Sequence, residues 1–343
     1  MSKKDDVADN EIDLHRPLAL PLPWQQDVWQ RIMQSRQQQR LAHALLLTGV
    51  PGIGKQRFAE ALAQSLLCQS PDSLSAYACG QCRSCVLYQA GNHPDIKRIT
   101  FEVSKTTGKL SRMIIIDQIR DWVAGQGQTA NFGEWKVSII EPAEQMNTAS
   151  ANALLKFLEE PTPGTLMILV SPMPGALLPT VRSRCQQLPL PIPSLSEASQ
   201  WLQQQLSIDG EQAQELLAEG DTPLLVERAW LDGTASLGQV REQALQAVLA
   251  GSSSLFSLAE QWQKHYPLEQ NLRWLEQRLA RLLRQVALSD DVASRQKLIQ
   301  RGFALWRQLL QWRQQVQAGA NPNPDLFMEH LLGQYLDVFR RLG

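Results

Sequence analysis

The run Gly49-Val50-Pro51-Gly52-Ile53-Gly54-Lys55 has the residue types and spacing of a loop that cradles phosphates. Its glycines let backbone N–H groups turn toward a phosphate chain, and the lysine neutralises β and γ charge. The next position ordinarily carries Ser or Thr, whose hydroxyl ligates Mg²⁺. Here it is Gln56, a neutral carboxamide and a poor substitute. Gly49, Gly52, Gly54 and Lys55 therefore predict recognition of nucleotide phosphates, while Gln56 argues against hydrolysis.

A second chemistry lies just downstream. Four of the five cysteines, Cys68, Cys79, Cys82 and Cys85, fall within 18 residues. Four thiolates suit tetrahedral Zn²⁺, and a Cys₄ site is closed, hence structural and not catalytic. An iron–sulfur cluster of the bacterial pattern needs a fourth Cys followed by Pro shortly after Cys85, and Gln89 stands there. Disulfides do not suit a cytoplasmic chain. The remaining alternative is four incidental thiols. Cys185 is remote in sequence.

These residues need elements to hold them. His43 to Thr48 is a short apolar run ending at the glycines, and Arg57 to Leu67 carries apolar residues at helical spacing, so strand, loop and helix come in the order a P-loop requires. A later strand should end in the acidic pair that holds Mg²⁺ and polarises water. Trp135 to Glu141 is the candidate, but the pair is Glu141-Pro142, and proline offers no carboxylate. Glu144 is expected to open the next helix. Asn147 or Thr148 should cap a helix that stops at Pro161. Leu166 to Val170 reads as another strand, ending at Ser171, a polar residue placed where it can sense a γ-phosphate. In Thr180-Val181-Arg182-Ser183-Arg184-Cys185 an arginine follows the complete sheet, where a P-loop ATPase can offer one to a neighbour's phosphates.

Bulk properties set limits. A chain of 343 residues has room for two or three domains. It carries 33 basic and 34 acidic residues for a net charge of −1, so no global field draws it onto nucleic acid. No apolar run approaches the roughly 18 residues that span a bilayer. The opening residues are polar and mixed in charge without an apolar signal core, so the cytoplasm is the expected compartment and membrane association is not expected.

Residues 1–23 read as a flexible tail and extended lead-in, with helix from Trp24. Thr106 to Ser111 and Gly125 to Asn131 read as loops. The proline-rich stretch Leu188 to Pro193 is the first expected boundary, followed by a helix capped by Ser194 or Ser196 with Trp201 and Leu202 on its apolar side. From about Ser236 the pattern is wholly helical: Leu272, Leu275, Leu279, Leu282 and Leu283 recur at three and four, as do Leu305, Leu309 and Trp312. The interspersed Arg273, Arg278, Arg281 and Arg284 read as solvated faces or subunit contacts.

Taken together, GVPGIGK, the four-cysteine insert behind the loop's helix, Ala149 to Pro161 (ASANALLKFLEEP) and Ser183-Arg184-Cys185 resemble the AAA+ clamp-loader family of bacterial DNA polymerase III. The likeness is strong from about Leu41 to Leu190 and only general beyond. It implies an α/β P-loop domain, a parallel sheet flanked by helices, over 24–190 with a small zinc module at 68–85. It further implies a helical lid over 191–235 and an all-α collar over 236–343. Two kinds of subunit share the motifs, an ATP-hydrolysing tau/gamma kind and a delta-prime stator kind. The hydrolytic kind has Ser or Thr after the lysine, Asp-Glu at the strand end and a lid arginine; this chain has Gln56, Glu141-Pro142 and Pro223. The resemblance thus implies a delta-prime-like stator with little or no turnover of its own, an enzyme component only by membership of the polymerase complex. In this reading Arg184 is the finger completing a neighbour's ATP site. It implies tau/gamma and delta subunits, the sliding clamp and primed-template DNA as partners, structural Zn²⁺, and ATP or ADP with Mg²⁺ as an open question at Lys55, Glu141 and Ser171. The stop at Gly343 without a further extension fits the stator kind. The alternatives are an active tau/gamma-like ATPase and a free-standing P-loop ATPase with a zinc module.

Overall fold

The computed structural model describes residues 18–103, 108, 111, 113–124, 130–218, 222–232, 237–265, 268–287, 292–317 and 323–340. The expected tail over residues 1–16 lies outside the described residues, as do most of the two expected loops and Gly220 and Asp221 of the turn before Pro223. The chain divides into two compact units, Met1–Glu197 and Ala198–Gly343. The expected lid–collar border at 235/236 falls outside the described residues.

The first unit is built on five parallel strands: β1 (Ala44–Thr48), β2 (Ile96–Ile99), β3 (Lys136–Ile140), β4 (Thr165–Ser171) and β5 (Gln186–Pro189), in the order β2-β3-β4-β1-β5. Its helices are α1 (Gln26–Gln37), α2 (Lys55–Leu67), α3 (Arg83–Gln89), α4 (Ile116–Ala124), α5 (Thr148–Glu159) and α6 (Pro179–Arg182). Parallel strands need crossover connections, and helices on both faces bury the sheet twice over. That is why β1 and β4 are buried along their whole length while the edge strands β2 and β5 are not. Side chains alternate between faces with period two. Leu45, Leu47, Ile139, Ile168 and Val170 join Trp29, Phe58 and Leu62 in one core, whereas Leu46, Ile140, Met167 and Leu169 join Ile119, Trp122 and Leu154 in another.

Local signals place the ends of these elements. The Asn147 side chain accepts from the Ser150 N–H (2.7 Å), capping α5. Glu144 sits in a short 3₁₀ turn, Ala143–Gln145, and Trp24 in another, Pro23–Gln25, which leads into α1. The expectation that Trp24 opens a helix is met within this turn.

The second unit is helical: α7 (Leu195–Leu206), in which the division falls, α8 (Gly210–Ala218), α9 (Pro223–Leu231), α10 (Leu237–Leu249), α11 (Leu255–His265), α12 (Leu268–Ala287), α13 (Val292–Gln317) and α14 (Pro324–Arg340). Ser194 and Glu197 form a reciprocal capping box at α7, with Glu197 N–H to Ser194 Oγ at 3.2 Å and Ser194 N–H to Glu197 Oε2 at 2.9 Å. Leu272, Leu275, Leu279, Leu283, Leu305 and Leu309 are buried in one core with Trp262, Met328 and Tyr335; Leu282 is only half-buried.

One expectation fails here. Arg278 is not a solvated face residue: it is 6% exposed, donates to both oxygens of Glu242 at 2.6 Å and to the Tyr335 hydroxyl at 3.0 Å, and lies over the Tyr335 ring. Burial of the guanidinium is offset by a charge-assisted bidentate pair, and its pKa is pushed above the ordinary arginine value against the effect of burial, by Glu242 and Tyr335. The side chains of Arg273, Arg281 and Arg284 lie outside the described residues.

Candidate functional site

In an open parallel sheet, ligands are received at the carboxyl ends of the strands. Three of the sequence-predicted groups meet there on adjacent strands. The glycine loop follows β1, Ser171 ends β4 in register with Thr48, and Glu141 follows β3, which pairs with β4.

The loop is fully formed. Gly49, Gly52 and Gly54 all have positive φ (136°, 75° and 89°). Gly54, the N-cap of α2, has a left-handed conformation that an L side chain resists, and a Cβ there would run into the Leu22 side chain. Lys55 opens α2, is buried, and donates from Nζ to the carbonyls of Gly49 (2.9 Å) and Val50 (2.8 Å). Burial lowers its pKa, opposed by the charges of Glu141 and Glu144. Gln56 is exposed.

A brace that sequence reasoning missed holds the loop from behind. Gln25 is completely buried; its amide donates to the carbonyls of Ile53 (2.9 Å) and Gly54 (3.2 Å), and its oxygen accepts from the Leu22 N–H (2.9 Å). The Trp24 indole N–H adds a bond to the Ile53 carbonyl at 3.1 Å. A polar Gln in a Gln-rich chain carries no periodic or spacing signal of this role.

Glu141 is partly buried, and its N–H donates to the Ile99 carbonyl (3.0 Å). Burial pushes its carboxyl up to about 7; Lys55 opposes the shift, while Glu60 and Glu144 add to it. The Glu141–Pro142 peptide is cis. The Ser171 hydroxyl is buried and accepts from the Met173 N–H at 3.1 Å. The loop therefore fits a phosphate chain, but the metal-holding half of an ATP–Mg²⁺ site does not fit. An exposed carboxamide replaces the hydroxyl, a proline replaces the second carboxylate, and the remaining carboxyl is one that burial drives toward neutrality.

Arg184 lies elsewhere. It precedes β5, whose first residue, Gln186, pairs with Leu45 near the start of β1, whereas the glycine loop follows Thr48, the partner of Pro189. At about 3.3 Å per residue the two levels are roughly 10 Å apart along the strands, so Arg184 belongs to the amino end of the sheet and not to its own chain's loop. Its Nη2 meets Glu159 Oε1 at 2.8 Å and its Nη1 donates to the Thr180 carbonyl at 3.1 Å, with 37% of the side chain exposed. The adjoining Cys185 is buried and pushed up to about 12 by that burial, an inert core thiol.

The cysteine cluster assembles as its spacing predicts. Cys68 caps the carboxyl end of α2, Cys82 caps the start of α3 and Cys85 lies within it, with Gly80 turning at φ 74°. The four sulfurs lie within 4.8 Å of one another, with Cys68–Cys82 at 3.9 Å and Cys79–Cys85 at 4.0 Å. Tetrahedral Zn–S bonds of 2.3 Å require sulfurs about 3.8 Å apart, so the cluster fits a metal and its cysteines are not paired as disulfides. The N–H groups of Cys79, Cys82 and Cys85 donate to the sulfurs of Cys68, Cys79 and Cys82. Burial raises Cys68 and Cys85, a cost to thiolates that a bound cation removes. Around them, the Ser84 hydroxyl donates to the Leu67 carbonyl (2.5 Å) and meets His93 Nε2 (2.7 Å), while His93 Nδ1 accepts from the Asp95 N–H (3.1 Å). Arg98 of β2 grips Glu60 of α2 through two bonds (2.8 and 2.7 Å), and the Tyr88 hydroxyl of α3 also donates to Glu60. These contacts tie the module to the loop's helix.

Among the described residues no helix is long and apolar enough to cross a membrane.

Residues 24–194 match the family model described as DNA polymerase III, delta subunit. The chain is 38% identical over 337 residues to DNA polymerase III subunit delta' of Pseudomonas aeruginosa, covering 92% of this chain and 97% of that protein. The Escherichia coli subunit delta' is 36% identical over 54% of this chain and 53% of its own length, and the subunit tau of the same organism is 30% identical over 61% of this chain and 32% of its own length. Having a relative of that identity along nearly the whole of both chains, this chain belongs to the DNA polymerase III delta' family.

Proposed function

We propose that the chain is the stator of a clamp loader, which lends Arg184 to the ATP site of a neighbouring tau/gamma subunit and does not hydrolyse ATP itself. The observation that carries this reading is the pairing of a defective site with an intact, outward-placed arginine. Its own loop lacks the Mg²⁺ hydroxyl and the second carboxylate, while Arg184 stands at the far end of the sheet from that loop, part-exposed on the Ser183-Arg184-Cys185 turn. A guanidinium offers a planar, permanently charged set of donors to the equatorial oxygens of a transferring phosphoryl group, where negative charge accumulates in the transition state.

In this reading the glycine loop with Lys55, Glu141 and Ser171 is at most a static holder for ATP or ADP. Cys68, Cys79, Cys82 and Cys85 hold structural Zn²⁺. Residues 191–235 serve as a lid and 236–343 as a collar joining the chain to tau/gamma and delta subunits. The assembly acts in the cytoplasm, placing the sliding clamp on primed-template DNA.

The test is steady-state ATP hydrolysis with Mg²⁺. The purified chain alone should show none. Arg184→Ala should lower turnover of the assembled complex without impairing assembly, by about 10³- to 10⁵-fold at the affected site. Unchanged turnover of that complex overturns the finger assignment.

A further inference from the structure

We propose that Glu159 is a positioning residue for Arg184. It holds the guanidinium fixed and leaves enough of it free to reach a neighbour's phosphates. The inference rests on the finger reading above and adds a residue that no motif marks.

Glu159 is the last residue of α5, and Arg184 follows α6, 25 positions later. The two anchors of the guanidinium come from these two helices: Glu159 Oε1 at 2.8 Å from Nη2, and the Thr180 carbonyl at 3.1 Å from Nη1. Each anchor uses one hydrogen. An arginine has five N–H donors in a rigid fork, so the Nε hydrogen and one on each Nη remain for a ligand approaching from solvent. The side chain is thus oriented without being consumed.

The placement of Glu159 favours this role over a chance surface pair. The last turn of a helix presents unpaired carbonyls and a negative partial charge, which disfavour a carboxylate. Glu159 and Glu160 both occupy that end, followed by Pro161. Lys156 in the same turn and Arg184, in direct contact with Glu159, supply the compensating charge. α5 is itself a firm support, capped by Asn147 and buried through Ala151, Leu154, Phe157 and Leu158. A long, rotamer-rich arginine gains most from such a support, because its ordering then precedes the reaction.

Glu159 is 52% exposed and Arg184 37%, so the pair adds little to folding and its removal is a clean perturbation. In the assembled complex, Glu159→Gln should lower kcat about two- to fivefold with the KM for ATP unchanged. Glu159→Asp should recover part of the loss. In an Arg184→Ala background, Glu159→Gln should have no further effect.

A wild-type kcat for Glu159→Gln overturns the proposal, as does a loss that persists undiminished without Arg184, since that marks a merely structural role. If Arg184→Ala itself leaves kcat unchanged, the finger reading falls and this proposal with it. If Arg184→Ala lowers kcat and Glu159→Gln does not, the positioning role alone falls.

Discussion

Replacing Glu141 with glutamine should stabilise the first unit above neutral pH and leave it unchanged in mild acid. Burial raises this carboxyl from 4.5 to about 7. Between those values the folded chain binds more protons than the unfolded one, so stability falls as pH rises. The favourable contribution is complete below about pH 4.5 and is lost as pH rises through about 7. A shift of that size corresponds to about 3 kcal/mol at 1.36 kcal/mol per unit. Glutamine mimics the neutral acid, so the variant escapes this loss. The attraction to Lys55 is already part of that net shift, so the gain well above pH 7 is about 3 kcal/mol. The assay is amide exchange of β3 and β4 at pH 4 and pH 8, corrected for intrinsic rates, in parent and Glu141→Gln. The protection of the variant should exceed that of the parent at pH 8 only. An equal difference at both pH values would refute the argument that burial, and not a lost contact, sets the energy of this group.

Two further outcomes are expected. The purified chain should contain one Zn²⁺, and stripping it with a chelator or substituting Cys82→Ser should unfold the 68–85 module and lower the melting temperature, since structural zinc contributes on the order of 10 kcal/mol in small peptides; metal analysis with thermal melts tests this. Arg278→Ala should destabilise the second unit by about 3 kcal/mol, because it leaves Glu242 and the buried Tyr335 hydroxyl without this partner. Arg278→Met should cost less, and equal losses in urea unfolding would contradict the account.

What was legible in the sequence was what repeats or is spaced locally. The glycine loop, the cysteine spacing, the Asn147 cap and the leucines of α12 each announce themselves within a few residues of chain. The missed features depend on distant partners. Arg278 looked like its neighbours because nothing local says that Glu242, 36 positions earlier, will meet it. Gln25 became a brace only because the loop 28 positions later folds back onto it. β2, Ile96–Ile99 with two charged residues inside, escaped notice because an edge strand needs apolar residues on one face at most. The deficiency of the candidate site was readable at once, since Gln56 and Pro142 are defects of residue type. The location of Arg184 at the opposite end of the sheet required the register of β5 against β1.

Helix α2 joins the two chemistries end to end. Its 13 residues, about 20 Å long, begin at the loop's lysine and run directly into the first cysteine of the cluster. A helix frays from its ends, and here neither end is loose: Gln25 and Trp24 pin the carbonyls just before it, while Cys68 is tied into the four-sulfur knot just after. The chain's own contacts thus hold the glycine loop at the start of this helix. Gln56 and Pro142 take away two metal-holding groups, yet the curve of the backbone around Gly49, Gly52 and Gly54 is held by contacts that involve neither.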